Sequence, residues 1–180
     1  MAAFIDATVN LAPFYVGGTF AYVAGDDPNK KDTMEGGVLT VGTDWNPCLI
    51  LFSYYDLTYW VGPVDGYNPS NVYKLANNGQ VDGPMYNAWF GQGRIGVKPT
   101  PELDVMLSLS YAEADQKPLG YIGGTYGTEV DLTSTYKITN NLSYMLGFGY
   151  LFTGDYFKGT NGANKVDDDY LLINKLTLTF

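Results

Sequence analysis

The 180-residue sequence contains no histidine, a single cysteine and a single arginine. Without an imidazole, the chain lacks the side chain that most often acts as a neutral-pH base or binds transition metals. Cys48 has no second cysteine with which to form a disulfide within the chain. The sequence also has no nucleophile motif and no phosphate-binding loop. We therefore expect no enzyme activity, no catalytic residue, no cofactor and no metal site.

Charge and long apolar runs are also scarce. Charged residues make up 16% of the chain, against about 25% in ordinary soluble domains. With ten basic residues and a net charge of -9, the chain lacks the basic face that nucleic-acid binding requires. A membrane helix would require a run of about 18 apolar residues, and the sequence contains no such run. Residues 1–6 also lack the features of a secretory signal peptide, so we expect a mature form or a fragment.

The sequence is instead rich in aromatic residues, which make up 16% of it, and contains 22 glycines. Apolar and small or polar side chains alternate, and this period of two predicts β-strands with two different faces. In residues 142–153, for example, the even positions are apolar or aromatic and the odd ones are mostly small. The alternation fits seven segments, at about 6–11, 15–22, 89–98, 103–112, 129–138, 142–153 and 170–180.

Short and long connections alternate between these segments. The short ones lie near residues 12–13, 99–102 and 139–141, and the long ones near 26–84, 114–127 and 154–168. Outer-membrane barrels have such short periplasmic turns and long extracellular loops. We therefore predict an all-β fold, a transmembrane antiparallel up-and-down β-barrel that forms a single domain over residues 1–180, located in the bacterial outer membrane.

The stretch 26–84 has two interpretations. It is either one long loop or a loop that contains a hairpin from residues 35–42 and 48–59. Within it, residues 48–62 are too apolar to lie in water, so they form a strand or pack inside the barrel as a constriction or plug. We favour a loop that folds inward or packs at the rim. Either count of strands is odd, whereas single-chain bacterial barrels normally have even counts. We therefore expect the C-terminal part of a larger barrel, incomplete at its N-terminus.

The last segment is apolar on one face and ends on an aromatic residue. It resembles the closing strand of Gram-negative outer-membrane barrels, whose terminal aromatic residue is recognised by the barrel-assembly machinery. The residues of this C-terminal assembly signal are Tyr170, Leu176, Leu178 and Phe180.

Several motifs together resemble the alginate-export family of outer-membrane porins. They are residues 16–22 running into 25–28, then 44–47, 127–132 and 149–156, followed by 167–169 and the terminal strand. The resemblance implies a monomeric passive channel in a barrel larger than this chain can form. The family's pore is lined with many arginines for a polyanionic sugar, whereas this sequence offers Arg94 with Lys98, Lys137 and Lys175.

In the predicted barrel, alternate positions of each strand point inward, and we call this inward parity. Charged side chains with inward parity are the candidate pore lining, because a charge on the lipid face of a barrel strand is unfavourable. They either form cross-strand pairs that set the register, such as Lys98 with Asp104, or select solutes by charge. The predicted pore-lining residues are Asp6, Arg94, Lys98, Asp104, Glu129, Asp131, Lys137 and Lys175.

Aromatic side chains with outward parity have two interpretations, a girdle at the membrane interface or a surface that stacks sugars. Their position toward the strand ends favours the girdle. The predicted girdle residues are Trp89, Tyr111, Tyr136, Tyr144, Tyr150, Phe152 and Tyr170. Tyr15 and Tyr86 are the only tyrosines with clear inward parity. The acidic runs 26–27 and 167–169 are interpreted as solvated loops. The alternative is that their carboxylates bind Ca²⁺ or bridge lipopolysaccharide through divalent ions.

The sequence thus predicts an outer-membrane porin for passive diffusion of small polar solutes or saccharides, with little ion selectivity or a weak preference for cations. Its expected partners are outer-membrane lipids, lipopolysaccharide, the assembly machinery and the solute. An alternative is a non-conducting barrel that serves as an anchor or a surface interaction protein. A soluble β-sandwich that binds a ligand is disfavoured by the apolar outward face.

Overall fold

The computed structural model describes residues 1–30, 32–33, 35–37, 47–52 and 85–180. These residues form an all-β structure with seven strands, each of which overlaps one of the seven segments predicted from alternation. The strands are β1 (Ala2–Leu11), β2 (Phe14–Val23), β3 (Ala88–Thr100), β4 (Leu103–Glu113), β5 (Thr125–Lys137), β6 (Leu142–Thr153) and β7 (Asp169–Leu178).

All seven strands belong to one antiparallel sheet in which each strand pairs with its neighbours in the sequence. The antiparallel meander predicted from the sequence is confirmed. Among the described residues the sheet is open, because β1 and β7 each have a partner on one side only. The pairing of β5 with β6 is continuous from Gly127 opposite Thr153 to Lys137 opposite Ser143.

The connections follow the predicted asymmetry. Short turns join β1 to β2, β3 to β4 and β5 to β6, and they all lie at one end of the sheet. The connections at the other end are long. The connection from β6 to β7 includes a 3₁₀ helix, Asp155–Lys158. No helix among the described residues is long and apolar enough to cross a lipid bilayer.

One face of the sheet carries large apolar side chains that are exposed, and we call it the apolar face. Leu107 and Leu132, which lie opposite each other in the middle of β4 and β5, are 47% and 48% exposed. A water-soluble sheet would bury such residues. The exposed members in β3 to β6 are Trp89, Ile95, Leu107, Leu109, Tyr111, Leu132, Tyr136, Tyr144, Leu146, Phe148 and Phe152.

The opposite face, here called the covered face, has small, polar and acidic side chains together with a few apolar ones. Residues 47–52 lie against it, and Phe52 makes edge contacts with the rings of Phe90 and Tyr126. Leu49 approaches the bare backbone of Gly147 and Gly149 in β6. The buried residues of the covered face include Thr19, Ala21, Phe90, Ser108, Ser110, Ala112, Glu129, Asp131 and Leu151.

The stretch 26–84 is described only in part. Residues 48–52 are buried against the covered face and form no strand. Residues 35–37 form no strand either. The remainder of the possible hairpin, at 38–46 and 53–59, lies outside the described residues, as do residues 60–62.

Candidate functional site

Two acidic side chains lie buried side by side at the centre of the covered face. Glu129 and Asp131 are two residues apart on β5, so the period of the strand directs both to the same face. Their exposed fractions are 0% and 2%. Acidic side chains are almost never buried to this extent unless they are paired or hydrogen-bonded.

Residues 47–52, here called the covering segment, place backbone amides around Glu129. Oε1 accepts hydrogen bonds from the amides of Leu49 at 3.0 Å and Ile50 at 2.7 Å, and Oε2 accepts one from Leu51 at 2.6 Å. Three successive amides that converge on one carboxylate form an anion-binding concavity. Glu129 therefore attaches residues 49–51 to the wall of the sheet.

Asp131 has fewer partners. Oδ2 accepts a long hydrogen bond from Ser108 Oγ at 3.4 Å. Oδ1 is buried and has no hydrogen-bond partner in the described part of the chain. It lies beside Gly149 on β6, where a Cβ would stand 2.8 Å from Asp131 Oδ1 and 3.5 Å from Glu129 Oε1. The absence of a side chain at Gly149 thus allows both carboxylates to lie close to the backbone of β6.

Cys48 completes the cluster. Its side chain is buried, and one ligand atom from each of Cys48, Glu129 and Asp131 lies within 4.8 Å of the other two. Burial raises the pKa of the Cys48 thiol well above its ordinary value, and the negative charges of the two acids raise it further. The thiol is therefore protonated at neutral pH when nothing is bound to it.

The other end of the covering segment is attached through β3. Gln92 donates from Nε2 to the carbonyl oxygen of Pro47 and to Ser110 Oγ, the latter at 3.1 Å. Gln92 and Glu129 thus hold residues 47–51 from two different strands. The burial of these residues follows from the attachments together with the contacts of Leu49 and Phe52.

Arg94, the single arginine, is part of a second cluster on the same face. Its guanidinium binds Asp6 in a bidentate manner, with Nη1–Oδ2 at 2.7 Å and Nη2–Oδ1 at 2.8 Å. It also donates to the hydroxyls of Thr8 at 2.7 Å and Thr19 at 2.9 Å. The structure thus joins two predicted pore-lining residues, from β1 and β3, in one ion pair that the sequence did not single out.

Lys98 and Asp104 form the cross-strand pair expected from the sequence, with Nζ and Oδ2 3.6 Å apart. The hydroxyl of Tyr15 donates to Asp104 Oδ1 at 2.8 Å, and Lys98 Nζ lies 5.5 Å from the centre of the Tyr15 ring. Lys137 is exposed at the short-turn end of β5, and Lys175 is half-buried on β7 opposite Met145. The predicted lining residues are therefore spread along the sheet rather than gathered at one point.

The predicted girdle residues lie on the apolar face in two rows. Tyr136 and Tyr144 lie opposite each other at the short-turn end. The other five lie at the long-connection end, where several polar tips are bonded to acidic residues. Trp89 Nε1 donates to Asp115 at 3.0 Å, and the Tyr111 and Tyr150 hydroxyls donate to acids at 3.0 and 3.3 Å.

The acidic runs lie away from the buried cluster and make local contacts. Asp26 accepts from the amide of Glu35 at 2.8 Å, and Asp27 accepts from the amide of Asn29 at 2.9 Å. Asp168 accepts from the amide of Thr153 at 3.0 Å. These hydrogen bonds are local to the connections.

Tyr126 was missed by sequence reasoning, and the prediction that Tyr15 and Tyr86 are the only inward tyrosines is wrong. Tyr126 is buried on the covered face, and its hydroxyl donates to the carbonyl of Asn87 at 3.1 Å. By parity with Leu132 it should face outward. A register shift between Ala112 and Glu113, opposite Gly127 with φ of 144°, reverses the alternation. The glycine pair Gly123-Gly124 and Gly127 itself were the available signal.

No family model matches the sequence, and comparisons with curated proteins and with solved structures found no similar protein.

Proposed function

We propose that this chain is the membrane-spanning part of an outer-membrane β-barrel and acts as a porin for passive diffusion of small polar solutes or saccharides. The observation that carries the proposal is that the apolar face of the sheet is exposed while charged residues lie on the opposite face, which is the reverse of the arrangement in a water-soluble protein. Large apolar side chains are exposed across neighbouring strands, while Glu129, Asp131 and Arg94 lie on the opposite face. A lipid-facing exterior with a polar interior accounts for both faces.

The spacing of the aromatic rows supports the same proposal. Tyr144 and Phe152 belong to opposite rows and are eight residues apart on β6. At about 3.4 Å per residue this is about 27 Å along the strand. A barrel strand tilted by about 40° would reduce this to about 20 Å across the membrane, near the roughly 25 Å apolar band of such barrels. Tyrosine and tryptophan are enriched where this band meets water.

The lining residues support weak ion selectivity rather than a preference for polyanions. Arg94 is matched by Asp6 and Lys98 by Asp104, so little uncompensated positive charge remains along these strands. The chain as a whole carries -9. We therefore propose a weak preference for cations, and we leave alginate out of the proposed solutes despite the resemblance to the alginate-export family.

The partners of the proposed barrel follow from the apolar face. Outer-membrane lipids would cover it, and lipopolysaccharide would contact its long-connection end. On β7, Tyr170, Leu176 and Leu178 are exposed on this face, together with Phe180 beyond the strand. Their exposure supports recognition of β7 by the barrel-assembly machinery.

A non-conducting anchor is the second candidate, and the covering segment favours it. Residues 47–52 are buried against the covered face and are attached by Glu129 and Gln92. If this segment closes the interior, the barrel would present its long connections at the surface without passing solute.

Conductance in planar bilayers decides between the two candidates. The protein is folded in detergent, added to the bilayer at low concentration, and the current is recorded under a salt gradient. A porin gives discrete current steps with a small reversal potential of the sign expected for cations. Insertion without current steps supports the anchor. A reversal potential typical of strong anion selectivity contradicts the proposed lining.

Adjacent residues on β5 test the membrane orientation itself. Leu132 lies on the apolar face and Thr133 on the covered face, at nearly the same depth. Leu132→Arg places a charge in hydrocarbon at about 2–4 kcal/mol, whereas Thr133→Arg does not. We expect Leu132→Arg alone to reduce folding into lipid vesicles, measured as the protease-resistant fraction. Equal folding of the two variants would contradict the orientation.

A further inference from the structure

We propose that Cys48, Glu129 and Asp131 form a binding site for one thiophilic divalent cation of the zinc class, enclosed between β5 and the covering segment. Two observations carry the proposal: one donor atom from each of the three residues lies within 4.8 Å of the other two, and Asp131 Oδ1 is buried without a hydrogen-bond partner among the described residues. The site lies apart from the Arg94 cluster, and the proposal does not depend on whether the barrel conducts.

The first step concerns charge. Two buried carboxylates that face the same space repel each other unless something neutralises them. The three amides of residues 49–51 compensate Glu129, whereas Asp131 accepts a long hydrogen bond from Ser108 at Oδ2 and its buried Oδ1 has no hydrogen-bond partner among the described residues. No lysine or arginine of the described residues forms an ion pair with either acid. A divalent cation would supply the missing positive charge.

The second step concerns the identity of the cation. Ca²⁺ and Mg²⁺ prefer sites made of oxygen ligands alone, whereas a thiolate selects softer ions such as Zn²⁺ and Cd²⁺. One thiolate with two carboxylates gives three protein ligands, the number found where zinc keeps a fourth position open. Binding displaces the proton of the Cys48 thiol, so that a sulfur–metal bond replaces the sulfur–hydrogen bond and one proton is released.

The third step concerns geometry. Glu129 Oε2 accepts one amide, so it retains a lone pair for a metal while the covering segment stays attached. A tetrahedral ion with ligands at about 2.0–2.3 Å separates its donors by about 3.5 Å. The donors, which lie within 4.8 Å of one another, must therefore approach by up to about 1.3 Å. Asp131, with one unbonded oxygen, and Cys48, which lies outside the strands, can make this adjustment.

The test is a titration of the reduced, detergent-folded protein with Cd²⁺, followed through the ultraviolet charge-transfer absorption of a cadmium–thiolate bond. We expect absorption that saturates at one ion per chain and persists in excess Ca²⁺. Because Cys48 is the single cysteine, Cys48→Ser defines the background. Asp131→Asn should weaken Cd²⁺ affinity by about tenfold or more, while the control Asp104→Asn, an acid of the same face bonded to Tyr15, leaves it unchanged.

Two results would overturn the proposal. Absence of thiolate absorption at saturating Cd²⁺ would mean that the cluster binds no thiophilic cation through Cys48. Absorption with the same affinity in wild type and Asp131→Asn would mean that the thiol alone binds the ion. If Asp131→Asn does not fold, Gly149→Ala replaces it, because its methyl group would displace Asp131 Oδ1, and the same comparison of affinities decides. Absorbance is independent of current, so failure of the channel proposal leaves this test intact.

Discussion

Two groups of charged residues on the covered face are neutralised in different ways. Asp6 in β1 is matched by the guanidinium of Arg94, and the pair is partly open to solvent. Glu129 in β5 is fully buried and is matched by three backbone amides of residues 49–51. The first group joins β1 to β3 across the intervening β2, whereas the second joins the sheet to a segment that is remote in the sequence.

The comparison teaches that the covering segment contributes electrostatics as well as apolar contact. Burial of a carboxylate is strongly unfavourable without compensating hydrogen bonds. Residues 47–52 bury Glu129 and also provide the amides that make this burial tolerable. The segment and the acid therefore depend on each other, whereas Arg94 and Asp6 retain some contact with water when separated.

The largest effect is expected from Glu129→Ala. Three amides lose their acceptor, and each buried unsatisfied donor costs about 1–3 kcal/mol. We expect a loss of about 3 kcal/mol or more in the free energy of unfolding, measured by urea titration in lipid vesicles. Glu129→Gln keeps one oxygen acceptor but places an NH₂ group among amide donors, so its effect should be intermediate. A loss no greater than that of Asp104→Ala would mean that the covering segment is held by other contacts.

A smaller loss is expected from Arg94→Met. The guanidinium donates to Asp6, Thr8 and Thr19, and its side chain is 13% exposed. Hydrogen bonds to charged groups contribute about 1.5–3 kcal/mol, and water can replace part of them around Asp6. We expect a loss of about 1–2 kcal/mol in the same urea titration. Arg94→Lys keeps the charge without the bidentate fork and should recover part of it. A larger loss than for Glu129→Ala would reverse the comparison.

Gln92→Leu should have a more modest effect that is confined to the covering segment. It removes the donor to Pro47 and Ser110 but leaves the amide contacts of Glu129 in place. A typical hydrogen bond contributes about 1 kcal/mol, and we expect a loss of that size. Hydrogen exchange should accelerate at residues 48–51 and stay unchanged along β1. Uniform acceleration across the sheet would argue against a separate attachment of the segment.

The smallest effect is expected from Lys98→Met. The Lys98 side chain is 56% exposed, and its Nζ lies 3.6 Å from Asp104 Oδ2. Exposed ion pairs contribute about 0–1 kcal/mol and are screened by salt. We expect a change below about 0.5 kcal/mol in unfolding free energy. A loss comparable to that of Arg94→Met would mean that solvent exposure does not explain the difference between the clusters.

The strands could be predicted from the sequence because alternation is a local signal. In β6, Tyr144, Leu146 and Phe148 share a face that no long-range information is needed to identify. The inward parity of Glu129 and Asp131 was predicted in the same way. Their association with Cys48 could not be, since it depends on a segment about 80 residues away folding back onto β5. Tyr126 was missed because the sequence analysis placed it in the connection 114–127, whereas β5 begins at Thr125 and the register shift near Gly127 brings Tyr126 onto the covered face.

The outer edges of β1 and β7 have a consequence for any preparation of this protein. Along each of these edges, amide and carbonyl groups have no partner from another strand among the described residues. In water, an unpaired strand edge of this kind promotes aggregation by pairing with further chains. In hydrocarbon, each unsatisfied backbone group costs several kcal/mol, so stable insertion of the proposed barrel into a membrane requires that another strand or segment pair with each edge. Cross-linking from β1 and β7 would identify the segments that pair with these edges.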